Sequence, residues 1–235
     1  MIPPPVVRVH EGVFVVRDDL VLGGTKRRFI DGWLASSSAQ EFVYATPAYG
    51  GAQIALAIAA REAGRRCTLF VAQRGGLHAR TAEAQRAGAK VMQIPHGYLS
   101  NVQSKARAYC EETGALLLPH GFDTLEAREA VAAAARLVRD AHAPFDEVWS
   151  VAGSGVLTRS LQLAELGRSY VAVAVGRDSP NVGAARLIVH PQDFAADAKS
   201  PPPFPSCSNY DAKAWQHVKA RRGRPRRTLF WNVMR

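Results

Sequence analysis

Cysteine is scarce: 235 residues hold three, Cys67, Cys110 and Cys207, and none forms a Cys-x-x-Cys pair. That spacing excludes a disulfide framework or a structural zinc site and suits a reducing compartment. The seven histidines show no His-x-x-x-His or similar ligand spacing, so no metal is expected. Long apolar runs are missing too. The alanine-rich stretch 52–63 is broken by Gln53, Arg61 and Glu62 and reads as a buried helix, which leaves no membrane partner. The opening Met-Ile-Pro-Pro-Pro lacks the charged start and apolar core of a secretion signal, so a cytoplasmic location is expected. No repeat of fixed period is present.

Acidic residues are missing from one place in particular. The chain carries a net charge of +10, and residues 219–235 hold seven basic side chains and no acid, which leaves +3 for the first 218 residues. A nearly neutral body with a basic end points to a polyanion partner or to a solubilising tail.

Between residues 41 and 175 short apolar runs alternate with helical patterns. Strands are expected at 41–45, 66–72, 90–94, 115–118, 147–151 and 169–175, with a further apolar run at 185–190 and a strand or hairpin near 12–17. Helices are expected at 51–63, 77–87, 100–113, 124–141 and 156–166. Short connections between them predict an α/β fold of mostly parallel sheets with helices on both faces. In such sheets ligands gather beyond the carboxyl ends of strands. That rule singles out the loops 46–52, 73–78, 95–98, 119–122, 152–158 and 176–179.

Two of the chain's turns have chemical promise. Gly153-Ser154-Gly155-Val156-Leu157-Thr158 joins a strand to a helix start, so backbone amides and the positive helix end converge on one point, as a phosphate requires. Ser154 and Thr158 add hydroxyls. Gly23-Gly24-Thr25-Lys26-Arg27-Arg28 brings an amine out of a glycine turn. An amine nucleophile must be neutral part of the time, through burial or a cationic neighbour, and Arg27 and Arg28 are candidates for the latter. A tight steric turn and a solvated basic turn are the ordinary alternatives.

Taken in order, segments 22–29, 46–60, 152–161 and 206–215 resemble the successive motifs of the fold type II pyridoxal 5′-phosphate (PLP) enzymes. These include tryptophan synthase β chains, cysteine synthases and the aminocyclopropane carboxylate deaminase/D-cysteine desulfhydrase group. The resemblance implies a shortened, two-lobed tryptophan synthase β-like architecture and PLP as cofactor. Residues 1–40 and 120–218 would form the larger, cofactor-binding lobe, 41–119 the smaller, and 219–235 a basic tail. Gly23-Gly24-Thr25-Lys26 is similar to the loop carrying the Schiff-base lysine, so Lys26 inherits that role. Residues Gly153, Ser154, Gly155, Val156, Leu157 and Thr158 look like the phosphate cup, and Tyr210-Asp211-Ala212-Lys213-Ala214 is similar to the Tyr-x-Gly-Lys-Ala signature of the deaminases. The resemblance also implies a hydroxyl or carboxylate facing the pyridine nitrogen from Pro205-Ser206-Cys207-Ser208, where Ser206 and Ser208 both remain open.

Departures accompany the likeness. Where the family places an Asn beside the cofactor's phenolic oxygen, this chain has Tyr49-Gly50-Gly51-Ala52-Gln53. Gln53 or a backbone group near Gly51 would have to serve, while Tyr49 would stack on the ring or cover the substrate. His78, His96 and His120 fall near strand ends, and His120, in Pro119-His120-Gly121-Phe122, matches a family loop near the substrate. Dimers are usual in the family, so a homodimer is an expectation.

Arg221, Arg222, Arg224, Arg226 and Arg227 surround Arg-Gly-Arg-Pro, the core of an AT-hook, narrow enough for an A·T minor groove. The apolar 229–234 that follows would pack back as a final strand or form a dimer contact. Some bacteriophages attach amino acids to thymine in DNA and trim them with PLP enzymes that resemble this family. The combined expectation is a PLP-dependent lyase that decarboxylates an amino acid carried on DNA. The rivals are β-elimination or deamination of a free amino acid, a dinucleotide-binding oxidoreductase with Gly153-x-Gly155 and Asp178, and a non-catalytic DNA-binding protein on the same scaffold.

Overall fold

The computed structural model describes residues 2–95, 98–176, 180–221 and 226–235. The chain forms two compact units, one of residues 29–122 and one of residues 1–28 with 123–235. Sequence reasoning put these boundaries at 40/41 and 119/120.

The unit of residues 29–122 is a four-stranded parallel sheet. Its strands are β3 (Glu41–Ala45), β4 (Arg66–Ala72), β5 (Lys90–Ile94) and β6 (Leu116–Leu117), in the order β5-β4-β3-β6. Helices α2 (Ala52–Glu62), α3 (Ala79–Arg86) and α4 (Leu99–Thr113) connect them, and α1 (Arg27–Ser36) leads in. β3 is buried at every residue, as the apolar run Phe42-Val43-Tyr44-Ala45 requires of a central strand in a covered parallel sheet, while Glu41 accepts from the Thr68 and Tyr109 hydroxyls.

The other unit is built on six strands. β1 (Val7–His10) and β2 (Val13–Arg17) form a hairpin on Glu11-Gly12, both left-handed at φ 50° and 78°. The order is β1-β2-β10-β7-β8-β9, with β7 at Glu147–Ala152, β8 at Ser169–Ala174, β9 at Arg186–Val189 and β10 at Thr228–Asn232. Every pair but the hairpin is parallel. Helices α5 (Leu125–His142), α6 (Val156–Leu163) and α7 (Asp211–Ala220) belong to this unit. The α/β alternation expected from residue 41 onward is present; α1 and α7 are additions to it.

At the end of the chain the apolar run 229–234 follows one of its two expected courses and packs back as a strand, although it lies within the segment 219–235 expected as a basic tail. Residues 228–232 are not tail but the strand between β2 and β7, fully buried. The run Leu229-Phe230-Trp231 explains this: burying Leu229 and Phe230 alone contributes roughly 1.5–3 kcal/mol each. Hydrophobic burial outweighs the pull of neighbouring arginines toward solvent. Among the described residues no helix is long and apolar enough to cross a membrane.

Candidate active site around Lys26

The turn before Lys26 uses both glycines. Gly23 and Gly24 are left-handed, at φ 89° and 74°, and a Cβ on Gly24 would collide with the Val233 carbonyl oxygen. Gly24, Thr25 and Lys26 then make one turn of 3-10 helix. The Thr25 amide donates to the Val233 carbonyl at 3.0 Å, so the turn docks on the carboxyl end of β10.

Burial lowers the pKa of Lys26 below its ordinary value, against the opposing pull of Asp211 and then Cys207. Cationic neighbours are not the cause. Arg27 donates to the Leu22 carbonyl at 3.1 Å, and Arg28 is committed to Asp18, its Nε 2.9 Å from Oδ2.

Asp211 opens α7 and is fully buried. Its Oδ1 accepts the Val233 amide at 3.0 Å, while Oδ2 has no hydrogen-bond partner among the described residues. Burial pushes its pKa up to about 7, against the Val233 and Met234 amides and the charge of Lys26. A buried carboxyl with a spare oxygen thus acts through its charge on a half-buried amine.

The residue before it reaches the glycine turn. Tyr210 Oη lies where a Cβ on Gly153 would be only 3.0 Å away, and the Gly153 amide donates to it. Burial raises the Tyr210 phenol well above its usual range. Gly155 is left-handed at φ 83°, and a Cβ there would run into the Asn181 carbonyl oxygen, so the turn needs glycine sterically. It leads into α6 with no side-chain cap, which leaves the first amides of that helix without intrahelical partners. Ser154, Val156 and Leu157 sit at this helix start. Thr158 does not offer a free hydroxyl as expected: it is buried and bonded to Ser150 at 2.8 Å, tying α6 to β7.

Between the two serines the geometry discriminates. Ser208 is exposed and donates to Asp197, whereas the Ser206 hydroxyl is buried without a partner among the described residues. The Cys207 amide between them donates to the Met234 carbonyl at 2.9 Å. Val233 and Met234 therefore hold the lysine turn, the Asp211 carboxyl and the serine loop together.

The remaining candidates lie in the unit of residues 29–122. Tyr49 follows β3 and meets His78 edge-on, ring centroids 4.4 Å apart. Gly51 caps α2. Gln53 is fully buried, and its amide donates to the carbonyls of Ala48 and Gly50, both at 2.9 Å. Its donors are spent on shaping this loop, and only an acceptor oxygen is left over, so Gln53 cannot replace an Asn that donates to a phenolic oxygen. His120 follows β6, is exposed, and stacks near Tyr44 with an interplanar angle of 12°.

The arginines expected to meet nucleic acid are partly engaged within the fold. Arg221 donates to the Val218 carbonyl, Arg226 pairs with Glu147 at 2.7 Å, and Arg227 donates to the His142 carbonyl and lies over the Phe14 ring. Arg222 and Arg224 lie outside the described residues, as do His96 and Asp178. Among the described residues no cluster of three His, Cys, Asp or Glu side chains could hold a metal.

Sequence reasoning missed Asp211 and Tyr210 as site residues. One signal was available: both open the segment Tyr210-Asp211-Ala212-Lys213-Ala214, which was matched to the deaminase signature without a role for either residue.

No protein-family model and no curated protein sequence matches the chain. Solved structures do. An ACC deaminase homologue superposes with a TM-score of 0.79 at 17% identity, over 94% of this chain and 84% of that one. The processed form of threonine deaminase isoform 2 from Solanum lycopersicum gives 0.72 at 12% identity, over 98% and 83%. Apo diaminopropionate ammonia lyase from Escherichia coli gives 0.68 at 12%, over 94% and 77%. At these identities the likeness establishes the fold, which is the fold type II architecture expected from the motifs.

Proposed function

We propose that this protein is a PLP-dependent enzyme acting on an α-amino acid group, with Lys26 as the residue that holds the cofactor covalently. The observation that carries this reading is a half-buried Lys26 under the charge of the fully buried Asp211, whose Oδ2 lacks a partner among the described residues. A desolvated carboxyl left half-satisfied is costly unless a ligand completes it.

The residues present fit the cofactor. The Gly153-Ser154-Gly155 turn and the uncapped start of α6 suit its phosphate. Asp211 suits the ring nitrogen, with Ser206 as a neutral second donor. When bound, PLP withdraws electrons from the α-carbon of an attached amino acid. Lys26, its pKa lowered by burial, supplies a neutral amine as nucleophile and proton carrier at its Nζ. Asp211, with a pKa near that of the medium, holds or releases a proton at Oδ2. A carboxyl in that place favours strong electron withdrawal, as loss of an α-substituent demands.

In its finer form the proposal is a lyase that decarboxylates an amino acid attached to thymine in DNA. The surplus of seven basic residues in 219–235 supports it. Within the fold Lys219 pairs with Glu11 and Arg226 with Glu147, and Arg221 and Arg227 bond to carbonyls, so that support comes from the charge surplus of the sequence alone. The neighbouring deaminases and ammonia lyase favour the other reading, elimination or deamination of a free amino acid.

Purified protein mixed with PLP is expected to gain a visible absorption band, and borohydride reduction to leave the label on the peptide containing Lys26. A colourless protein, or a label elsewhere, would sink the reading. Carbon dioxide release from aminoacylated duplex DNA marks the first form of the reaction. Ammonia and a 2-oxo acid from free amino acids mark the second.

A further inference from the structure

Asp18 is fully buried just after β2, eight residues before Lys26. Its carboxylate is saturated with donors. The Thr25 hydroxyl donates at 2.8 Å, Arg28 Nε at 2.9 Å and Trp231 Nε1 at 3.1 Å, all to Oδ2, while Arg28 Nη2 donates to Oδ1. The Trp231 indole also reaches the Thr25 hydroxyl at 3.0 Å. The donors thus stand one residue before the lysine, two residues after it, and on β10.

A single turn of 3-10 helix has little stability of its own, and the two glycines before it add freedom. The position of this turn must therefore come from outside it. Thr25 and Val233 supply one backbone bond. The Gly24 amide donates to the Val21 carbonyl at 2.8 Å, and α1 follows at once from Arg27; to these Asp18 adds its set of side-chain bonds, among them a pair with Arg28 whose side chain is 5% exposed. Asp19, its neighbour, is spent differently: it takes both arms of Arg17 at 2.7 Å and the Asn232 amide at 2.7 Å, and among the described residues is bonded to neither Thr25 nor Arg28.

We propose that Asp18 is a positioning residue for Lys26, tying the residues on either side of it to β10 and so holding its half-buried amine within reach of the charges of Asp211 and Cys207. The groups that act on the amine in that setting are Asp211 and Cys207, and Asp19 acts in turn on Asp211. The functional meaning of this rests on Lys26 being the cofactor lysine. The geometric claim does not, and it is tested on protein without PLP.

The test follows acetylation of Lys26 by acetic anhydride as a function of pH, read by peptide mass spectrometry, in wild type, Asp18→Asn and Thr25→Val. Circular dichroism checks folding in each, and PLP absorbance is recorded separately. The expected result is a midpoint for Lys26 at least about one pH unit higher in Asp18→Asn, or about tenfold less neutral amine at a given pH below it. Thr25→Val, which removes one donor to Asp18 and one acceptor for Trp231 but leaves the Arg28 pair, should move it the same way by less. Folded variants that both keep the wild-type midpoint would overturn the proposal. Should Asp18→Asn fail to fold, Thr25→Val alone decides in the same two directions. A shifted midpoint in a protein that takes no PLP would retain Asp18's role and reject the cofactor reading. PLP uptake with an unmoved midpoint would do the reverse.

Discussion

Two lysines of the larger unit are withdrawn from water, Lys213 completely and Lys26 in part, and they are treated in opposite ways. Lys213, in the first half of α7, is fully enclosed, and its Nζ donates to the carbonyls of Asp193 at 2.6 Å and Phe194 at 3.4 Å. Lys26, on its 3-10 turn, has no hydrogen bond to its amine among the described residues and meets Asp211 only through charge. Burial lowers both pKa values. What separates them is satisfaction: Lys213 fastens a loop, while Lys26 is desolvated and left available. Burial by itself does not make a lysine reactive; burial without a fixed partner does.

The largest expected effect comes from breaking that contrast at Lys26. Lys26→Ala should abolish the PLP absorption band and cut turnover by on the order of a thousandfold or more. Its unfolding free energy in urea should change by less than about 1 kcal/mol, because among the described residues the Lys26 amine makes no hydrogen bond that the substitution would break. Lys213→Met should do the opposite. It strands two carbonyls inside and should cost roughly 1–3 kcal/mol in urea unfolding, while the borohydride label stays on Lys26. If the label moved to Lys213 in any variant, the comparison would collapse.

A smaller effect sharpens it through pH. Asp211 titrates at about 7 in the fold, above its ordinary 3.8. Between about pH 4 and about pH 7 the folded chain therefore keeps a proton that the unfolded chain has lost. Its contribution to stability is complete below that window and is lost as pH rises through it. Lys26 slopes the other way, adding stability as pH rises from its lowered pKa toward 10.5. Asp211→Asn should flatten the first slope in urea titrations at several pH values, and Asn can still accept the Val233 amide. The same variant removes an attraction from Lys26, so the acetylation midpoint of Lys26 should fall further.

Much of this site was readable from residue order. Gly23-Gly24 before Lys26 pointed to a tight turn, and the left-handed angles and the contact with Val233 give the physical reason. Gly153-Ser154-Gly155 was equally legible as a strand-to-helix turn. The hydroxyls were not. Thr158 and Ser208 looked as available as Ser206, yet Thr158 is bonded to Ser150 and Ser208 to Asp197. A side-chain hydroxyl is claimed by whatever donor or acceptor the fold brings close, and local sequence does not state that.

Local pattern alone determined the α/β alternation between residues 41 and 175, because helix and strand periods are written within a few neighbouring residues. It also nominated Lys26 and the glycine cup. Only the tertiary structure brought the charge of Asp211 to bear on Lys26, placed the final apolar run between β2 and β7, and joined Asp18 to Trp231 across 213 positions of sequence. Those choices depend on burial and on hydrogen bonds between distant segments, and both exist only once the sheet has closed around β10.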